Sequence, residues 1–123
     1  MIVSPLVEEE MYQLKADFKF IANGLTFIIP AGFVFDGASI PKIFWTITTS
    51  PFNPKVMRAA CIHDFLYRTH AIPRKQADKL FMQILIEDGM AEESAEVLYS
   101  AVRVGGHTAY KTGRNKPLKG TWT

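Results

Sequence analysis

The chain has 123 residues, a formal net charge of +2, 48% hydrophobic residues and a single cysteine. This length suits one ordinary domain, and the apolar fraction is sufficient for one hydrophobic core. One cysteine excludes an internal disulfide and a zinc site built from cysteines.

The start of the chain and its hydropathy predict no export or membrane segment. Residues 1–10 carry neither a cationic segment nor a long apolar stretch, so we predict no signal peptide. No apolar run approaches the roughly 20 residues that span a bilayer, so we predict no transmembrane segment. We therefore expect a protein that is made in the cytoplasm and used in soluble form.

The first third of the chain has the pattern of strands and turns. Apolar and charged residues alternate over residues 12–20, which is the period of a half-buried strand. Asn23 and Gly24 form a hairpin turn signal because both accept positive φ, and residues 25–29 return as the partner strand. Residues 33–35 indicate a short third strand. We predict a small antiparallel hairpin or meander.

The rest of the chain has helical periodicity. Pro54 suits the first position of a helix, and Gly89 suits the position that follows one. The three predicted helices cover residues 54–68, 73–88 and 91–104. We therefore predict an α+β fold in which the N-terminal strands pack on a three-helix C-terminal part.

The last residues differ in composition from the rest, since Gly, Asn, Pro and Lys dominate them. We predict a single α+β domain over residues 1–111 and an extended basic tail over residues 112–123. Such a tail usually solvates a surface; the alternative is contact with nucleic acid, anionic lipid or an acidic partner. Nothing else in the sequence favours nucleic acid, and we do not expect it as a partner.

Reactive side chains lie on the first two predicted helices. His63 and Tyr67 are one turn apart on the apolar face, where one imidazole nitrogen can face a reactant while a carboxylate holds the other. Asp78 is the predicted carboxylate, because a link of about five residues makes the helices neighbours. Tyr67 is expected to donate its hydroxyl to Asp78. Asp64, about a quarter turn from His63, is expected to face a metal or substrate.

Each of these residues also has an ordinary structural interpretation. A lone histidine on an apolar face, such as His63, is more often a satisfied core residue than a catalytic one. Asp64 could pair with Arg68, and Asp78 with Arg74, each pair contributing a few tenths of a kcal/mol. The spacing of the whole set is more specific than any one member.

The segments AACIHDFLY at residues 59–67 and ADKLF at residues 77–81 resemble the catalytic helix pair of the secreted and parvoviral phospholipase A2 families. The resemblance implies calcium as a cofactor and hydrolysis of a lipid ester. That family's calcium loop, a Tyr-x-Gly-x-Gly type segment, is absent here. FDGAS at residues 35–39 is the segment in a comparable place.

The same resemblance implies a role for each side chain of the set. His63 would be the general base for an attacking water, and Asp64 a calcium ligand. Asp78, helped by Tyr67, would orient the histidine. The chemistry is consistent, since calcium polarises an ester carbonyl while a neutral histidine takes a proton from water.

A second resemblance extends over most of the chain. IPAGFVFDGASIP at residues 29–41, HDFLY, ADKLF and AVRVGG resemble a family of small phage and prophage proteins of unassigned biochemical role. It implies a viral origin, synthesis in the host cytoplasm and other phage proteins as partners. Within this pattern Asp36, Gly37 and Ser39 are candidate substrate or loop residues. Equally, Asp36 and Ser39 could cap the turn that follows.

Other catalytic arrangements have less support. A hydrolase using Ser39 and His63 would lack the Gly-x-Ser-x-Gly elbow. Cys61 falls on the opposite side of the helix from His63, so we interpret it as core. His63, His70 and His107 form a metal set only in principle.

Three hypotheses follow. The first is a phage-encoded hydrolase that attacks an ester or amide of a lipid or cell-wall substrate with His63-activated water, with or without a metal. The second is a non-catalytic virion component, such as a tail, baseplate or capsid accessory protein, in which the polar cluster is a buried network. The third is a regulator that binds a partner through the basic tail.

Overall fold

The computed structural model describes residues 3–6, 11–22, 24–35 and 54–113, and confirms an α+β fold. The strands are β1 (Val3–Leu6), β2 (Met11–Leu14), β3 (Phe18–Ala22), β4 (Leu25–Ile29) and β5 (Val34–Phe35). The helices are α1 (Pro54–Thr69), α2 (Arg74–Glu87), α3 (Glu92–Gly105) and α4 (His107–Gly113).

The described strands form two small antiparallel sheets. In the first, β2 lies between β1 and β5. In the second, β3 and β4 form the predicted hairpin, in which Ala22 pairs with Leu25 across the turn. Gly24 in that turn has a φ of 74°, a conformation that glycine adopts without the steric cost of a side chain.

The continuous strand predicted over residues 12–20 is wrong, because the chain bends between two strands of different sheets. At the bend, Asp17 accepts a hydrogen bond of 2.7 Å from the backbone N–H of Ala31. Leu14, the last residue of β2, donates its backbone N–H to the carbonyl of Phe33 at 2.9 Å. The alternation of apolar and charged residues continues through the bend, so it gave no sign of the division.

The three predicted helices are present, each displaced by no more than one residue at either end. α4 was not predicted, and its last residues extend the helical part into the segment expected as tail. The remaining tail, residues 114–123, and the candidate loop, residues 36–41, lie outside the described residues.

Helix α1 lies at the centre of the described core. It packs against α2, α4 and β5, while α3 packs against α2. Phe65 of α1 contacts Phe33 and Phe20 edge to face, with ring centroids 5.8 and 6.1 Å apart. Such aromatic pairs contribute about 0.5–1.5 kcal/mol each beyond the area they bury, so this contact ties the strands to the helices.

The helices of the described segments are all too short or too polar to cross a bilayer.

Candidate functional site

The link between α1 and α2 brings the candidate residues together. His70 follows the last residue of α1 with a φ of 54°, in the left-handed region that commonly ends helices. Pro73 immediately precedes α2 and cannot continue α1. The chain therefore reverses within four residues, and α2 packs alongside α1 with Asp78 facing His63.

His63, Tyr67 and Asp78 meet at one carboxylate oxygen. His63 Nε2 lies 2.6 Å from Asp78 Oδ1, and the Tyr67 hydroxyl donates to the same oxygen at 2.5 Å. The imidazole lies beside two aromatic rings, with centroid distances of 4.1 Å to Tyr67 and 4.8 Å to Phe81. The site is deeply buried, since His63 is 1% exposed and Asp78 is 0% exposed.

The surroundings of the pair favour a neutral imidazole beside an ionised carboxylate. Burial lowers the pKa of His63 more than the neighbouring carboxylate raises it. Burial alone would raise the pKa of Asp78, but hydrogen bonds from His63, Tyr67 and Arg103 together lower it. Because an ionised carboxylate only accepts hydrogen bonds, Nε2 carries the imidazole proton and Nδ1 carries the lone pair.

Two arginines complete the cluster. Arg103 of α3 donates from Nη1 to Asp78 Oδ2 at 2.7 Å. Arg74 of α2 donates from Nε to the Tyr67 hydroxyl at 3.2 Å, and its Nη2 donates to the carbonyls of Val102 and Arg103 at 2.8 and 2.6 Å. Arg74 lies 3.9 Å from Asp78 Oδ2, so it is the more distant of the two cations.

Sequence reasoning missed Arg103 and treated Arg74 only as a helical-spacing partner of Asp78. The segment AVRVGG at residues 101–106 was noted as part of a resemblance, without a role for its arginine. Gly106, in the same segment, has no predicted role in the cluster. In the structure a Cβ at Gly106 would lie 2.7 Å from the Tyr67 hydroxyl, so the glycine lets the cluster close.

Asp64, the candidate metal ligand, faces a cation of the chain itself. Its Oδ2 accepts from Arg68 Nη2 at 2.5 Å, and the guanidinium of Arg68 lies 4.5 Å from the centroid of the Phe33 ring. Calcium requires six to eight oxygen ligands. The described ranges contain no group of three or more His, Cys, Asp or Glu residues arranged to hold a metal ion.

The other candidates are separate from the cluster or lie outside the described residues. His70 Nε2 lies 2.6 Å from the carbonyl of Tyr110, on whose ring the imidazole stacks, and His107 is exposed. Cys61 is buried as predicted, and burial raises the pKa of its thiol. The candidate loop residues, Asp36, Gly37 and Ser39, lie outside the described part of the chain.

The chain belongs to a family described as "Protein of unknown function (DUF1353)", whose sequence profile matches residues 12–102. The matched region includes His63, Tyr67 and Asp78, and it ends one residue before Arg103.

Two relatives come from Sinorhizobium fredii (strain NBRC 101917 / NGR234). The uncharacterized protein y4jT is 33% identical over 97 residues, which are 78% of this chain and 29% of the relative. The uncharacterized protein y4iH is 32% identical over 94 residues, which are 76% of this chain and 39% of the relative. The chain therefore spans well under half the length of either protein. No solved structure matches the chain.

Proposed function

We propose that this chain is a hydrolase that uses His63 as the general base toward a water molecule, with an ester or amide as substrate. The observation that carries the proposal is the hydrogen bond of 2.6 Å between His63 Nε2 and Asp78 Oδ1. A buried carboxylate that holds one imidazole nitrogen fixes the ring and its tautomer, which is what a histidine base requires.

The proposed reaction uses the proton-accepting nitrogen of His63. Nδ1 takes a proton from water while the water oxygen attacks the carbonyl carbon of the substrate. The imidazolium that forms is stabilised by Asp78, whose ionised state is supported by Tyr67 and Arg103. The proton then passes from Nδ1 to the leaving oxygen or nitrogen as the carbonyl reforms, and His63 returns to its neutral state.

The resemblances support the choice of substrates to be tested. The phospholipase-A2-like helix pair supports a phospholipid ester, and the resemblance to phage and prophage proteins supports a cell-wall amide. The second resemblance also supports a viral origin, synthesis in the host cytoplasm and incorporation in the virion.

The phospholipase-like form of the proposal adds calcium near Asp64. The described donors do not fit a calcium site, because Arg68 contacts the carboxylate of Asp64 and six to eight oxygens are needed. No step of the mechanism is therefore assigned to calcium, and calcium dependence is one arm of the experiment.

The test compares wild type with His63→Ala on phosphatidylglycerol vesicles and on purified peptidoglycan, each with calcium and with a chelator. Removal of a general base is expected to lower kcat about 10²- to 10⁴-fold, without loss of the fold by circular dichroism. His107→Ala is the matched control, because His107 is exposed on α4 and should retain wild-type activity. Equal activity of wild type and folded His63→Ala would contradict the proposal.

A second candidate is a non-catalytic virion component, and the burial of His63 and Asp78 favours it. A network that joins α1, α2 and α3 through one carboxylate can hold the helices in a single arrangement without any reaction. This candidate predicts no hydrolysis of either substrate by wild type. It also predicts that His63→Ala lowers the melting temperature markedly, whereas His107→Ala does not.

A further inference from the structure

We propose that Arg103 is a positioning residue that fixes the carboxylate of Asp78 and thereby keeps the imidazole proton of His63 on Nε2. For its consequence in catalysis the inference rests on the proposed function. The part that concerns structure, namely which nitrogen of His63 carries the proton, can be tested without any substrate.

The two oxygens of Asp78 have separate partners. Oδ1 accepts from His63 Nε2 and from the Tyr67 hydroxyl, whereas Oδ2 accepts from Arg103 Nη1 at 2.7 Å. A carboxylate that is bound at both oxygens cannot rotate without breaking a hydrogen bond. By binding Oδ2, Arg103 therefore fixes the orientation in which Oδ1 accepts the hydrogen bond from His63.

Arg103 also supplies the charge that a buried carboxylate needs. Asp78 is 0% exposed, and an ionised carboxylate without a counter-charge in such a place is strongly unfavourable. Arg74 adds a second positive charge, but its Nε lies 3.9 Å from Oδ2, beyond hydrogen-bond distance, and its guanidinium donates to Tyr67 and to two carbonyls. The direct charge-assisted hydrogen bond to Oδ2 therefore comes from Arg103.

Loss of the Arg103 charge has a definite chemical outcome. Asp78 would take up a proton from solvent, keep it as a neutral acid and donate a hydrogen bond to Nε2 of His63. Nε2 would then carry the lone pair, because the imidazole releases its Nε2 proton to solvent and takes up one proton on Nδ1, so the ring stays neutral. An imidazole with its proton on Nδ1 cannot accept a proton from water at that atom, so the base would be lost although His63 and Asp78 remain.

The experiment is ¹⁵N NMR of the His63 ring in the intact protein at pH 7.5, since the protonated and the unprotonated nitrogen of a neutral imidazole have very different shifts, and their couplings to the ring C–H protons identify Nδ1 and Nε2. Wild type should carry the proton on Nε2. Arg103→Met should move it to Nδ1, and Arg103→Lys, which keeps the charge, should return it to Nε2. If Arg103→Met does not fold, Arg103→Gln removes the charge while keeping a hydrogen-bond donor, and should give the same result.

Arg58→Met is the matched control. Arg58 donates to Glu87 and Asp88 at 3.0 Å, and its side chain is 33% exposed, close to the 31% of Arg103. Its loss removes an ion pair between α1 and α2 and should leave the proton of His63 on Nε2. A folded neutral variant at Arg103 that keeps the proton on Nε2 would overturn the inference, as would a shift of equal size in Arg58→Met.

An activity arm separates this inference from the proposed function. If the chain is a hydrolase, Arg103→Met should lower kcat about 10- to 100-fold with KM unchanged, and Arg103→Lys should restore it. If wild type hydrolyses nothing but Arg103→Met still moves the proton, the proposed function fails and the positioning role stands. Hydrolysis at the wild-type rate by Arg103→Met, with the proton on Nε2, rejects the positioning role alone.

Discussion

Gly106 shows at the scale of a single residue how closely the polar cluster is packed. An added Cβ would lie 2.4 Å from the carbonyl oxygen of Val102 and 2.7 Å from the Tyr67 hydroxyl. Neither contact can be relieved cheaply, since the first is backbone and the second is hydrogen bonded to Asp78. A methyl group at this position must therefore disturb the C-terminus of α3 or the cluster itself.

We expect Gly106→Ala to lower the free energy of unfolding by about 1–3 kcal/mol, the usual cost of overpacking a close-packed site. Urea denaturation monitored by circular dichroism measures this. Gly105→Ala is the control: Gly105 is exposed within α3, where alanine is the better helix former and stability should stay equal or rise. Equal effects of the two substitutions would show that the contact with Tyr67 is unimportant.

At the same scale, the sequence predicted the contacts of His63, Tyr67 and Asp78 but not those of Arg103. The first three follow from helical spacing and a short link, which leave few ways to arrange two adjacent helices. Arg103 reaches Asp78 across 25 positions of the chain, and its direction depends on how α3 packs on α2. No local pattern contains that information.

At the scale of an element, Arg74 closes the C-terminal end of α3. The last carbonyls of a helix lack partners within it, and Arg74 of α2 donates to those of Val102 and Arg103. Gly106 donates its backbone N–H to the carbonyl of Val102 as well, at 2.9 Å. The end of α3 and the start of α2 are therefore held together by hydrogen bonds from a charged group.

We expect Arg74→Met to lower the free energy of unfolding by about 1.5–3 kcal/mol, since a hydrogen bond that involves a charged group contributes that much. Amide hydrogen exchange should accelerate at Gly106, at the end of α3, more than in the middle of α2. Lys75→Met is the matched control, because Lys75 is exposed on the same turn and should change neither quantity. Unchanged exchange at Gly106 in Arg74→Met would contradict the capping role.

Some helices and strands can be predicted from their own residues, whereas others form because of contacts with distant parts of the chain. The three longer helices were found because an apolar face recurs along each of them, and those faces are buried. α4 has only seven residues, too few for a periodic pattern, and depends on contacts such as that of Tyr110 with His70. The division of the strand over residues 12–20 was hidden because its cause, the bond from Ala31 to Asp17, is distant in sequence.

At the scale of the whole molecule, the buried cluster makes stability depend on pH. Folding lowers the pKa of His63 from its ordinary value of 6.5. Below about pH 6.5 the unfolded state therefore binds a proton more readily than the folded state, and the free energy of unfolding falls. The pKa of Asp78 is also lowered, from 3.8, so it adds a further loss in more acidic solution. Both contributions are complete at neutral pH and disappear on acidification.

We therefore expect the urea midpoint to fall as pH is lowered from 7.5 to 5. His63→Gln should remove the part of this dependence that lies between pH 6.5 and 5, because glutamine does not titrate. His107→Ala should leave the dependence intact, since His107 is exposed. An equally steep fall in folded His63→Gln would mean that other groups are responsible.

The burial of Cys61 has a practical consequence. It is the single thiol of the chain, it lies within α1 two residues before His63, and none of its surface is exposed. Reaction with a maleimide or with Ellman's reagent is therefore blocked until that helix opens. The rate of such labelling therefore measures how often the central helix opens, and the natural cysteine serves as the reporter.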